Sequence, residues 1–295
     1  MINKRYFTFF LFLLAAAVIT GCSDSEETQG TIRLSITDAP LDNPDIVEVN
    51  LAVTRVDIKG SSGWEVIDSF DEPLSINLLE YRDGNSFLIT EESIPAGNYG
   101  EIRLVLDIAE KEGGDAANRG TFLRYADGST EPLFVPSGQS SGYKAKGEFE
   151  IPAGGVTGLT VDFDARRAVV EAGNTDKFLL KPVTRLVEDK DVAMIHGTTT
   201  WESEYASLKV FAYPQGTYSE EEAIAEPESV EFPNAITSNS IREDGTFTLA
   251  FMDSGTYDLV VAAYNEANEF VAVISVIDGV DLSPGEIKQV EVTLE

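Results

Sequence analysis

Along residues 47–53 apolar and polar positions alternate, with Val47, Val49, Leu51 and Val53 on one parity and Glu48, Asn50 and Ala52 on the other. A period of two marks a strand with one face against a core. After Thr54 the apolar parity slips to Val56 and Ile58, and a one-residue slip would turn the buried face outward. The pattern therefore predicts a β-bulge near Thr54-Arg55. Gly60-Ser61-Ser62-Gly63 then turns the chain into Trp64-Glu65-Val66-Ile67 as a hairpin. Similar short apolar patterns predict strands over 32–36, 74–78, 101–106, 121–125, 149–151, 159–163 and 178–186. The best helix candidates are only 165–171 and 219–224.

Glu188-Asp189-Lys190-Asp191 is a charged stretch between two apolar-patterned regions and predicts a linker over 188–191. Beyond it turn signals crowd together and short strands are expected over 194–201, 208–213, 246–252, 257–264, 270–277 and 287–294. That spacing suits a small sandwich of about seven strands. A weak echo runs through the chain. Ile94-Pro95-Ala96-Gly97-Asn98-Tyr99, Ile151-Pro152-Ala153-Gly154-Gly155 and Asp253-Ser254-Gly255-Thr256-Tyr257 each precede an apolar-alternating strand. Glycine serves a tight turn there, and tyrosine can pack back on the corner. The expected fold class is all-β, with two β-sandwich-like domains over 30–187 and 192–295.

The N-terminus has a different pattern. Lys4 and Arg5 precede an apolar run from Phe7 to Ile19 that is too short to cross the ~30 Å hydrocarbon layer. It ends in Ile19-Thr20-Gly21-Cys22, which resembles the bacterial lipobox. The resemblance implies a signal peptide over 1–21 and an acylated Cys22 at the mature N-terminus. Cys22 is the only cysteine of the chain, so no internal disulfide is possible. Residues 22–29 form an acidic tether similar to the export signal of Bacteroidetes-type surface lipoproteins. The chain carries 51 acidic against 21 basic residues, a formal charge of −30, which speaks against nucleic acid as a partner.

Candidate chemistry is sparse. His196 is the single imidazole and is expected at a strand end in a surface or turn role. Asp162 and Asp164 flank Phe163 and would share one strand face about 7 Å apart. They could belong to a calcium site or act as glycosidase carboxylates, or simply edge a strand and cap the turn into Arg166-Arg167. Asp38, Asp42 and Asp45 form a second acidic loop that lacks EF-hand spacing, a weaker calcium candidate. Ca²⁺ is thus the one cofactor the residues suggest. Trp64, Tyr81, Trp201, Tyr205 and Tyr213 could form a sugar-stacking platform or pack within the sandwich. No phosphate-binding glycine motif and no Gly-x-Ser-x-Gly elbow occurs.

Residues 30–187 resemble a domain family of unknown function found in bacterial surface lipoproteins. The resemblance is carried by Gly30-Thr31, Ser35-Ile36-Thr37-Asp38-Ala39-Pro40, Ile76-Asn77-Leu78-Leu79, Pro95-Ala96-Gly97-Asn98-Tyr99, Val161-Asp162-Phe163-Asp164-Ala165 and Leu180-Lys181-Pro182-Val183. It implies architecture and address, and no activity. Residues 192–295 are similar to the carboxypeptidase regulatory-like, transthyretin-like sandwich, through Ile195-His196-Gly197-Thr198, Val210-Phe211-Ala212-Tyr213, Asp244-Gly245-Thr246-Phe247 and Ser283-Pro284-Gly285-Glu286. Such modules imply accessory or adhesive roles. The expectation is a non-catalytic surface lipoprotein, held in the outer-membrane bilayer by acylated Cys22, that binds a glycan or protein at the cell surface. A structural or pilus-like assembly subunit is the alternative, and a carboxylate-based glycoside hydrolase a remote one.

Overall fold

The computed structural model describes residues 28–39, 43, 45–108, 119–135, 142–171, 177–200, 205–223 and 230–294. Nineteen strands lie among them, in two groups that share no sheet. In the first group β1 (Gln29–Ala39) is flanked by β4 (Phe87–Pro95), antiparallel to it, and β9 (Val156–Asp164), parallel to it. β12 (Thr184–Glu188) closes the far side of β9. The second sheet is built on β2 (Ile46–Gly60), long enough to pair with β3 (Gly63–Asn77), β5 (Gly97–Leu106) and β6 (Phe122–Tyr125). β8 (Tyr143–Ile151) continues from β5, and β7 (Thr130–Phe134), β11 (Phe178–Leu180) and β10 (Val169–Glu171) continue from β6.

The expected bulge is present, because both long ladders of β2 shift register between Val53 and Arg55. The shift keeps Val49, Leu51 and Val53 on one side of it, and Val56 and Ile58 on the other, all buried in one core with Ile32, Leu34, Leu104 and Phe163. Three expectations are corrected. Residues 178–186 are not one strand: Pro182 cannot donate to a ladder, and β11 and β12 on either side of it join different sheets. Residues 74–78 are not a separate strand but the bulged tail of β3 and the start of a 3-10 turn over Leu78–Glu80. The helix expected over 165–171 stops after one turn, Ala165–Ala168, where Val169 enters β10. The second helix candidate is a short 3-10 turn over Glu220–Ala223.

The second group comprises β13 (Ala193–Thr199), β14 (Ser207–Pro214), β15 (Thr237–Ile241), β16 (Thr246–Met252), β17 (Gly255–Tyr264), β18 (Phe270–Leu282) and β19 (Ile287–Val292). The count matches the sandwich of about seven strands that the turn spacing suggests, and six of them answer to expected segments; β15, where Ser238, Asn239 and Ser240 replace apolar residues, is not among those. β16, β13 and β19 make one sheet, and β15, β14, β17 and β18 the other. β14 and β17 are buried on both faces. Leu208, Val210, Leu259 and Val261 point into the core between the sheets, while Phe211, Tyr213, Val260 and Tyr264 lie under Phe232 and Ala235 on the outer side. Double burial explains their unbroken apolar runs. Gly197 sits where a Cβ would come within 1.8 Å of the Phe247 ring, so only a bare backbone allows β13 to lie against that side chain.

The echo noted above has a structural counterpart. Tyr99 Oη donates to the Pro95 carbonyl at 2.7 Å, and Tyr257 Oη donates to the Asp253 carbonyl at 2.9 Å. The glycine two residues before each tyrosine has nearly the same φ, +157° at Gly97 and +159° at Gly255. Each group of sheets thus carries a tyrosine corner of the same build.

Candidate functional site

The parallel register of β1 and β9 sets Thr37 beside Asp162, Asp38 beside Phe163 and Ala39 beside Asp164. The carboxylates of Asp38, Asp162 and Asp164 are consequently gathered at one end of the sheet, all buried. Asp38 Oδ1 accepts from the Ala165 amide at 3.0 Å, and Asp38 Oδ2 has no partner among the described residues. Burial raises the Asp38 carboxyl well above the usual carboxylate range. The charges of Asp162 and Asp164 add to this, and the Ala165 hydrogen bond opposes it. Asp164 caps the single helical turn through the Arg167 amide at 3.2 Å. Asp162 is ion-paired with Arg185, its cross-strand neighbour on β12. Burial raises Asp162, and the Arg185 charge and hydrogen bonds pull it back.

The arginines around these acids reach across to the second group of sheets. Arg166, 3 % exposed, donates from Nη1 to the carbonyls of Glu231 at 2.6 Å and Phe232 at 3.2 Å. Its guanidinium also lies 5.3 Å from the Phe211 ring centroid. Arg185 Nη2 donates to the Phe251 carbonyl at 3.0 Å, and Arg167 Nη1 reaches the Ala235 carbonyl at 3.4 Å. On another strand connection Asp83 accepts from Asn239 Nδ2 at 2.5 Å and pairs with Arg242 Nη2 at 2.7 Å. A cleft of about 440 Å³ remains between the groups, lined by Asp162, Arg167, Pro182, Arg185, Pro233 and Asn234 among others.

The backbone is strained at the same places. Asp83, Phe232 and Phe251 have φ values of 60°, 51° and 52°, and each supplies the side chain or carbonyl of one of these cross-contacts. A non-glycine residue held there costs about 1–3 kcal/mol, which the surrounding structure must offset. Local strain and buried charge therefore coincide on one joint.

Of the expected roles for Asp162 and Asp164, the cap on the turn into Arg166-Arg167 is the one seen, whereas the expected grouping of Asp38 with Asp45 is corrected. Asp38 does not share a loop with Asp45; it joins Asp162 and Asp164 because β1 pairs with β9. Asp45 is exposed and borders a separate cleft of about 580 Å³ with Asp127, Glu131 and Glu171. Asp42 and Cys22 lie outside the described residues. Asp162 and Asp164 are engaged by guanidinium or amide groups. Among the described residues no group of three or more His, Cys, Asp or Glu side chains has a metal-holding arrangement.

Among the described residues the candidate aromatic side chains do not form one platform. Tyr81 packs edge-on to Phe87, Tyr213 is fully buried with its hydroxyl on Glu222, and Tyr205 borders a hollow beside β18. Trp201 lies outside the described residues. Trp64 stands apart on the outer face of the larger sheet, where Arg103, Lys144 and Lys59 lie 4.3, 5.7 and 5.8 Å from its ring centroid. His196 is in the middle of β13 rather than at a strand end, with Nδ1 3.1 Å from Thr248 Oγ1.

The sequence expectation missed the reach of the arginines. Arg166 was foreseeable as a partner of Asp164, but its main contacts lie 65 and 66 positions away. Among the described residues no helix is long and apolar enough to cross a membrane.

Solved structures with some likeness include a Bacillus anthracis protein and pilins, all at very low identity. The Bacillus anthracis TIE protein is 10 % identical with a TM-score of 0.23 over 90 % of this chain and 34 % of its own, so the present chain spans about a third of its length. The Streptococcal ancillary pilin is 11 % identical with a TM-score of 0.22, covering 90 % of this chain and 68 % of its own. The shaft pilin spaA from Lactobacillus rhamnosus GG is 10 % identical with a TM-score of 0.23, covering 91 % and 98 %. At such TM-scores no fold or role is transferred. No curated protein matches. Residues 29–182 match the family described as Domain of unknown function (DUF4382), and with more than half of its length so matched the chain belongs to that family.

Proposed function

We propose that this protein is an envelope-anchored, non-catalytic module that acts by contact, presenting two β-units fixed to one another at the end of an acidic tether. The observation that carries this reading is the joint. Arg166, Arg185 and Asp83 tie the two groups of sheets together with buried or half-buried charge, at three residues of strained backbone. Asp162 and Asp164, the pair suited to acid–base chemistry, are instead paired with the arginines that hold this geometry. A cost in charge burial and strain suits a device whose relative orientation matters. The lipobox-like Ile19-Thr20-Gly21-Cys22 supports anchoring through acylated Cys22 in the outer membrane, and the acidic residues after it support a location on the cell surface. The transthyretin-like motifs of residues 192–295 support an accessory or adhesive role for the second unit.

The test is protease shaving of intact cells, comparing wild type with Cys22→Ala. Cleavage of wild type on intact cells, with release of the variant into soluble fractions, is the expected result. Protection until the outer membrane is breached would move the protein to the periplasm and sink the adhesive reading.

A second reading, an assembly subunit, draws on the edge of the second unit. β18 is a long edge strand with Val271 and Val276 exposed, and Ile287 on the neighbouring edge β19 is 61 % exposed. Such edges can accept a further strand. A discrete assembly on native extraction supports it, and a monomer argues against it.

A further inference from the structure

The outer face of the sheet formed by β3, β2, β5 and β8 is a cationic field within a strongly acidic protein. Residues of one parity point inward on these strands, with Val56, Ile58, Ile102, Leu104, Tyr143 and Ala145 in the core. The other parity faces out and is charged. The ladders align Trp64, Lys59, Glu101 and Lys146 in one row across the strands, and Val66, Asp57, Arg103 and Lys144 in the next, with Arg55 beyond. These rows and Arg55 together hold five cations and two carboxylates, from a chain with only 21 basic residues.

Both carboxylates are already committed. Asp57 is 1 % exposed and receives the guanidinium groups of Arg55 at 2.8 Å and Arg103 at 2.6 Å. Glu101 is ion-paired with Lys59. Lys144 and Lys146 form no ion pair with another described residue. Trp64 is half-buried within this field, and Val66 beside it is 59 % exposed.

We propose that this face binds an acidic polysaccharide, a chain bearing carboxylate or sulfate groups on successive sugars. Charge complementarity selects an anion. Neighbouring strands repeat at ~4.8 Å and like-facing residues along a strand at ~6.8 Å, so a semi-rigid polymer crossing the rows meets several cations together. Trp64 supplies an apolar ring against which the C–H face of a sugar can lie, a feature that a purely electrostatic ion cradle does not need. The exposed Glu148 and Glu150 continue β8 away from Lys146 and limit the field on that side. At physiological salt the remaining negative charge of the protein acts over only ~8 Å, so the local field governs capture. The proposal rests on the contact-module reading above and names its ligand class.

The probe is immobilised polygalacturonate, with dextran sulfate as a second polyanion and plain dextran as the neutral control, against the full chain in detergent. Binding to the polyanions and not to dextran is expected. It should weaken about tenfold or more when salt rises from about 50 to 300 mM, and by a similar factor in Lys144→Glu/Lys146→Glu. Trp64→Ala should weaken polygalacturonate binding while leaving the salt dependence in place. Should the charge-reversed variant fail to fold, Lys144→Gln/Lys146→Gln replaces it, with circular dichroism as the fold check. Absence of binding to both polyanions, equal binding by the lysine variants, or tighter binding to anionic vesicles or single-stranded DNA would overturn the proposal. Shaving experiments read the anchoring separately, so an outward-facing protein that ignores both polyanions removes this inference alone.

Discussion

Replacing Arg185 by Met breaks the joint at its best-defined point. The substitution keeps a long apolar stem but leaves the Asp162 carboxylate, with its side chain 8 % exposed, without its guanidinium, and the Phe251 carbonyl without its donor. Breaking a fully buried pair from one side costs about 3–5 kcal/mol. The Arg185 side chain is 25 % exposed, which lowers the expectation to about 2–4 kcal/mol at pH 7. The loss should depend on pH. Burial already raises the Asp162 carboxyl, and removing Arg185 removes its main opposing influence. An acid whose native pKa lies above its unfolded value of about 3.9 binds extra protons in the folded state, so stability rises as pH falls through that window. Arg185→Met should thus be closer to wild type at pH 5 than at pH 7. Asp162→Asn/Arg185→Met removes both charges and should recover about 1–2 kcal/mol at pH 7, the lost Phe251 contact accounting for the rest. Urea unfolding of the three proteins at the two pH values, at constant ionic strength, is the assay. A loss below about 0.5 kcal/mol at pH 7, or one that is equal at both pH values and unrecovered in the double variant, would refute the reasoning.

Three further outcomes are expected. Asp38→Asn keeps an acceptor for the Ala165 amide and removes the raised titration; wild type should lose stability relative to this variant as pH climbs from about 4 through the native value of Asp38, and parallel pH–stability curves would contradict the assignment. Gly197→Ala drives a methyl group into the Phe247 ring and should cost about 1–3 kcal/mol in urea unfolding, with Phe247→Leu/Gly197→Ala recovering part of it. Tyr99→Phe and Tyr257→Phe each delete one hydroxyl-to-carbonyl bond and should each cost about 0.5–1.5 kcal/mol; unchanged thermal midpoints in both would remove the tyrosine corners as stabilising features.

What the residues disclosed by pattern alone follows the range of the interaction. The bulge after Val53 was legible because a parity slip is local, and the run from Leu259 to Ala263 in β17 was legible because double burial leaves no polar position within it. β4 went unseen since Glu91, Glu92 and Ser93 interrupt its apolar positions on the exposed side of an edge strand. Pro182 was in plain view, yet the apolar residues on both sides of it suggested a single strand, and only the two sheets they enter separate them. The joint was the least accessible part. Asp38 meets Asp162 through a parallel ladder between distant segments, and Arg166 donates to backbone carbonyls, whose positions no side-chain pattern announces.

The two parallel pairings carry a consequence for how the chain is made. β1 is complete by residue 39, yet its parallel neighbour begins at Val156; β13 ends at Thr199, and its own parallel neighbour is β19, which starts only at Ile287 and is the last strand among the described residues. Contacts of such long sequence separation form slowly, since the loop-closure entropy is lost before the ladder forms. A polypeptide delivered from its N-terminus cannot pair β1 with β9 until residue 164 has emerged, has no finished first sheet until β12 ends at residue 188, and no finished second unit until residue 292. The molecule therefore stays threadable for most of its synthesis and locks late, and a truncation of only its last strand should leave the second unit open rather than slightly shorter.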